Sequence, residues 1–97
     1  MKEKLNELIT AITKRPAMYG VNKVEDIELI ILGYTACSAV AQDNVSDFNT
    51  AFRNYVNTHF EMTGDYAWPR LIRFHSGSDS HSIELFSKLF FKYLISN

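Results

Sequence analysis

Pro16, within the run Arg15-Pro16-Ala17-Met18-Tyr19-Gly20, is the feature that most constrains how this chain folds. Its ring removes a backbone donor and pushes the preceding residue out of the helical region. Apolar residues stand at helical spacing on both sides of it. Leu5, Leu8, Ile9 and Ile12 make residues 2–13 an amphipathic helix that must end before the proline. A longer apolar pattern then runs from residue 23 to about residue 42. The two helices must fold back on one another, with Tyr19-Gly20 as the turn. The segment is expected to lock them together, with Met18 or Tyr19 inserted between them.

Asn22, followed three residues later by Glu25, resembles a capping box at the start of the second helix. Val24, Ile27, Ile30, Ile31, Tyr34, Cys37, Val40 and Ala41 make that helix apolar over most of its circumference, which predicts a central position. Gly33, Ala36 and Ala39 are small enough to admit a close neighbour. The β-branched residues suggest a strand, but the length of the run favours a helix. Asp43-Asn44 is expected to end it, and Ser46 to cap a third helix from residue 47 to about residue 62. Phe48, Phe52, Tyr55, Val56 and Phe60 line one face of that helix, and Gly64 follows its end. Asp65 is expected to cap a short helix carrying Trp68, Leu71 and Ile72, which Gly77 terminates. Ser78-Asp79-Ser80 offers caps for a last helix with Ile83, Phe86, Leu89, Phe90, Tyr93 and Leu94 on its buried side. The reading is an all-α single domain, residues 1–97, of about five helices and no strand. Trp68, the only tryptophan, is expected to be a buried anchor.

A chain of 97 residues has room for one core. Cys37 is the only cysteine, so an intramolecular disulfide is impossible and a cysteine-based metal site is unsupported. It reads as a buried small hydrophobe, and a reducing cytoplasm fits. The start, Met1-Lys2-Glu3-Lys4-Leu5, lacks the apolar region of a secretory signal. The apolar stretch 27–41 is interrupted by Glu28, Gly33 and Ser38 and is too short to span a bilayer.

The net charge of −1 hides an uneven distribution. Residues 1–24 carry +3, residues 25–65 carry −6 and residues 66–97 carry +2. An acidic middle repels nucleic acid and suits a basic protein partner; it is equally the composition of a solvated polar face.

No catalytic set stands out. His75 and His81 flank Ser76-Gly77-Ser78-Asp79-Ser80, and a small enzyme or metal protein using His75, Asp79 and His81 is the alternative reading. Zinc, however, wants three or four convergent ligands, and a Ser-His-Asp set is rarely assembled from adjacent loop residues. Nucleophile-elbow, P-loop and dinucleotide-binding patterns are absent from the sequence. Asp43 and Asp47 stand one helical turn apart, where like charges can raise a pKa, but helix capping explains them more simply. The aromatic stripe lacks the basic groove that single-strand binding needs and reads as core.

Arg15 to Tyr19 is similar to the Arg-Pro-Gly-Met-Tyr segment of type II topoisomerase ATPase domains, but the Asp-x-Gly-x-Gly element of that family is missing. A resemblance along almost the whole chain is more informative. A first helix, an Arg-Pro-x-Met-Tyr segment, Leu32-Gly33-Tyr34, an aromatic helix, Gly64 ahead of Trp68 and a closing helix with Phe90-Phe91 follow one another in this order. This order resembles small bacterial immunity proteins of polymorphic toxin systems, including contact-dependent growth inhibition. The resemblance implies a cytoplasmic, non-enzymatic inhibitor without metal or cofactor. Such a protein binds a cognate toxin domain, commonly a nuclease such as an RNase, as a monomer in a 1:1 complex. It implies no membrane or direct nucleic-acid partner, and it carries no family contact residue onto this chain. If the toxin is a basic nuclease, the acidic middle is the expected contact surface. Asp43, Asn44 and Asp47 then stand at one end of the third helix, and Glu61, Asp65 and Tyr66 at the other.

Overall fold

The computed structural model describes residues 2–96. Five α-helices form it: α1 (Lys2–Lys14), α2 (Val24–Tyr34), α3 (Ala39–His59), α4 (Trp68–Phe74) and α5 (Asp79–Ser96). Short 3₁₀ turns cover Pro16–Tyr19 and Thr35–Cys37, and the described residues contain no strand. The all-α reading with five helices therefore holds. No helix among the described residues is long and apolar enough to cross a membrane.

α3 is the axis of the packing and meets all four other helices. Its Val45, Phe48, Phe52 and Val56 are buried at three- and four-residue spacing, the stripe expected of a core-facing helix. Phe52 is the hub. Its ring stacks on Phe48 at 5.2 Å and meets Trp68, Phe86 and Tyr93 edge-on at 5.4–5.5 Å. Leu5, Ile9 and Ile12 of α1 and Val24, Ile27 and Ile31 of α2 complete the core.

Trp68 is 1% exposed, as expected, and its Nε1–H donates to Asn49 Oδ1 at 2.9 Å. Among the described residues, one polar residue lies inside the core. Ser82 is fully buried; its hydroxyl accepts from the Val24 N–H at 3.1 Å and donates to the Asp79 carbonyl at 2.6 Å. It thereby caps α2 from α5 and satisfies one of the first helical donors.

Several local expectations are corrected. The second and third helices divide at Ser38, not at Asp43-Asn44. Ser38 has extended backbone (φ −174°, ψ 168°), and its Oγ accepts from the Ala41 N–H at 3.0 Å. That N-cap starts α3 eight residues earlier than Ser46, and Asp43, Asn44 and Ser46 lie inside the helix. Asn22 and Glu25 form no capping box: the Asn22 N–H donates to Asp26 Oδ2, and Glu25 turns to Arg73. Asp65 does not cap α4, which begins after Ala67 without a side-chain cap and carries Pro69 in its first turn.

Met18 and Tyr19 are exposed rather than wedged between helices, Met18 by 72%. The turn is held instead by backbone: the Gly20 N–H bonds the Ala17 carbonyl and the Val21 N–H bonds the Pro16 carbonyl, with Val21 as the buried residue. Gly20 sits at φ +69°, a left-handed position that glycine accepts without a Cβ clash. Cys37 is exposed, because the break at Ser38 carries it onto the surface. Leu29 and Leu32 of α2 and Val40 of α3 are likewise exposed, and the space a Cβ on Gly33 would enter is open, so α2 is apolar on its outer side as well.

Candidate functional site

The six acidic and polar positions singled out from the sequence do not share one surface. Asp43, Asn44 and Asp47 lie on the first half of α3. Glu61, Asp65 and Tyr66 lie in the loop beyond its end, where Asp65 and Tyr66 divide between two grooves. Asp43 and Asp47 are both exposed and one turn apart within the first half of the helix, so they are not caps. Asn44, between them, is half-buried and lines the grooves formed with α1, beside Leu5, Asn6 and Tyr93 on one side and Lys4 and Val40 on the other. Asp47 and Glu61 are separated by fourteen positions, roughly 20 Å at the helical rise.

The second surface is built by the way α3 ends. The Met62 N–H reaches back to the Asn57 carbonyl at 2.8 Å, and the Glu61 N–H to the Thr58 carbonyl at 3.2 Å. This is the paired-bond pattern of a Schellman termination. Its geometry forces the residue after the C-cap into the left-handed region, where glycine is the usual occupant. Here that residue is Glu61, at φ +54°, the one non-glycine residue with positive φ among the described residues. A left-handed L-residue costs roughly 1–2 kcal/mol. The carboxylate is exposed and makes no offsetting hydrogen bond or ion pair among the described residues. The Asn57 amide nitrogen then donates to the Gly64 carbonyl at 3.4 Å, holding the loop back against α3.

Beyond Gly64 the loop points its side chains in opposite directions. Asp65 faces a cleft of about 190 Å³ between α2 and α3, walled by Glu28, Asn49, Thr50, Arg53 and Trp68. Burial, and then the charge of Glu25, push the Glu28 carboxyl above its ordinary value. Arg53 Nε is buried without a hydrogen-bond partner among the described residues. Tyr66 instead faces α4, where the Arg70 guanidinium lies 5.2 Å from its ring centre. Asp65 and Tyr66 are adjacent in sequence yet serve different surfaces. Glu28, Arg70 and Phe74 belong to these surfaces and escaped the sequence reading. Only the 75% exposure of Phe74 reveals it, because a terminal phenylalanine in an apolar run reads as core.

His75, Asp79 and His81 are each engaged separately. His75 stacks on Phe60 with ring centres 3.8 Å apart and places Nε2 2.9 Å from the Met62 sulfur. His81 Nδ1 accepts from the Gly77 N–H at 2.9 Å, and the His81 N–H donates to Ser78 Oγ, so these groups form the start of α5. Asp79 accepts from Arg73 at 3.0 Å. Among the described residues, no three His, Cys, Asp or Glu side chains converge as a metal set would require.

Arg73 also forms a two-pronged bond to Glu25, through Nε at 2.9 Å and Nη2 at 2.7 Å, tying α4 to the start of α2. These bonds hold the Glu25 carboxyl below its ordinary 4.5 and the guanidinium above its own ordinary value. A carboxyl whose folded pKa is depressed stabilises the fold when ionised. The contribution is full above about 4.5 and is lost as pH falls through the lower folded value. It is modest, because both side chains stay a third or more exposed. Glu25→Gln is therefore expected to lower the urea midpoint at neutral pH. The difference from wild type should shrink as the solution is acidified; a difference constant with pH would contradict this role.

Compared with known protein families, curated proteins and solved structures, the chain matches none.

Proposed function

We propose that this protein is an immunity protein: a cytoplasmic, non-catalytic inhibitor that binds a cognate toxin domain and blocks its active site. The resemblance along the chain is one support. The observation that carries the reading is Glu61. A charged residue stands where the helix termination favours glycine, and its carboxylate is exposed, with no hydrogen bond or ion pair to another described residue. Backbone strain held at an exposed charged position is characteristic of binding surfaces, where affinity for a partner offsets lost stability.

Glu61 at the rim and Asp65 in the adjoining cleft offer carboxylates to a basic partner, and Tyr66 adds an aromatic of the kind enriched in interface centres. Asp43, Asn44 and Asp47 form a second acidic patch about one helix length away, within the span of a standard interface. In a complex with a basic nuclease, these carboxylates would occupy positions that substrate phosphates take and would steer association.

Glu61→Gly separates the two roles. It is expected to stabilise the free protein by about 0.5–1 kcal/mol, by relieving the left-handed strain net of the added chain entropy. The same change is expected to weaken toxin binding and growth protection. A variant that is more stable and equally protective would remove Glu61 from the interface.

A further inference from the structure

Beside Glu61, the loop between α3 and α4 and one side of α4 enclose a groove of about 290 Å³ lined by Met62, Tyr66, Arg70, Leu71 and Phe74. Its apolar walls are not closed by this chain: Phe74 is 75% exposed and Tyr66 is 50% exposed. Its shape is fixed from behind, because His75 is stacked on Phe60 and touches the Met62 sulfur. Among the described residues, Arg70 is the only charged one in the lining. Arg73, one turn on, is occupied by Glu25 and Asp79, whereas Arg70 has no carboxylate partner among the described residues and rests on the Tyr66 ring.

From the walls and this unpaired guanidinium, we infer that the groove receives a bulky apolar side chain of a partner protein flanked by a carboxylate, the carboxylate pairing with Arg70. The inference rests on the proposed role as a binder of another protein and adds the chemistry of one contact. Arginine and aromatic anchors around a desolvated pocket are the composition that dominates binding energy at protein interfaces. An acidic rim at Glu61 next to a basic groove at Arg70 also fixes the register of the partner, which must present opposite charges side by side.

The test uses the isotope-labelled full chain and two synthetic probes, acetyl-Asp-Phe-Asp-amide and acetyl-Lys-Phe-Lys-amide, titrated while backbone amide shifts are recorded. The acidic probe is expected to give saturable shifts at Tyr66, Arg70, Leu71 and Phe74, with weak affinity on the order of 1 mM. The basic probe is expected to bind at least about fivefold more weakly, because it sets like charge against Arg70. Arg70→Gln should equalise the two probes, and Phe74→Ser should weaken both without changing the fold, since Phe74 is not in the core. Equal binding of both probes to wild type, or no saturable shift in the groove, would overturn the inference. So would groove shifts that depend on protein concentration without probe, since a second copy would then be the occupant. The probes contain no toxin, so their failure leaves the protective role standing, and a failure of protection leaves the groove chemistry standing.

Discussion

Phe52→Ala is expected to destabilise the protein by about 3–5 kcal/mol, the cost of truncating a fully buried aromatic that its neighbours cannot close around. Phe52 is 0% exposed and is the shared neighbour of Phe48, Trp68, Phe86, Phe90 and Tyr93. The void would open between α3, α4 and α5, so no single helix could shift to fill it. Domains of this size are stable by only about 5–15 kcal/mol, so the loss is a large part of the total. The melting temperature should fall by about 12 °C or more. A fall of only a few degrees would mean that the aromatic cluster is not the centre of the core.

Trp68→Ala should cost a similar 3–5 kcal/mol, for two separable reasons. One is the loss of packing against Phe48, Phe52 and Phe86, with ring centres 5.1–6.0 Å away. The other is the bond from the indole N–H to Asn49 Oδ1. Asn49→Leu leaves the indole in place and removes its acceptor, an expected cost of about 1–3 kcal/mol for an unsatisfied buried donor. Trp68→Phe removes the donor and keeps most of the ring, so combined with Asn49→Leu it should recover part of that cost. Chemical unfolding of wild type, Asn49→Leu, Trp68→Phe and the double variant isolates the bond, and Trp68→Ala adds the packing. Strict additivity of Asn49→Leu and Trp68→Phe would show that the bond contributes nothing.

The core was legible in the sequence because it depends on spacing. Phe48, Phe52 and Val56 on α3 and Phe86, Leu89 and Phe90 on α5 repeat every three or four residues, and a pattern of that kind has one buried face. Trp68 was legible because its ring is too large to leave outside. The break at Ser38 was hidden, since the apolar pattern continues across it and a single hydroxyl decides the matter. Asp43 and Asn44 looked like a terminus by propensity, but a helix already nucleated at Ser38 and packed on four others overrides that preference. Met18 and Cys37 were misplaced for a related reason: each sits in a 3₁₀ turn, where the 3.6-residue period that assigns faces no longer applies.

At the end of α3, the exposure of Glu61, Asp65 and Tyr66 was legible and their grouping was not. Glu61, Asp65 and Tyr66 are close in sequence, yet the left-handed turn at Glu61 and the reversal after Gly64 send Asp65 toward α2 and Tyr66 toward α4. The partners they meet there, Glu28 and Arg70, come from elements that only folding brings near.

The proposed function turns on whether these exposed carboxylates engage a basic toxin. The most direct measurement is calorimetric titration of this protein with an inactivated basic nuclease toxin domain, taken from the neighbouring gene where that gene encodes one, at low and high salt. Wild type is expected to form a 1:1 complex that weakens as salt rises. The double variant Glu61→Lys and Asp65→Lys is expected to fold normally and to bind roughly tenfold or more weakly, mainly through slower association. No complex with wild type would contradict the proposed function. A complex indifferent to both salt and the double reversal would contradict its assignment to this acidic surface.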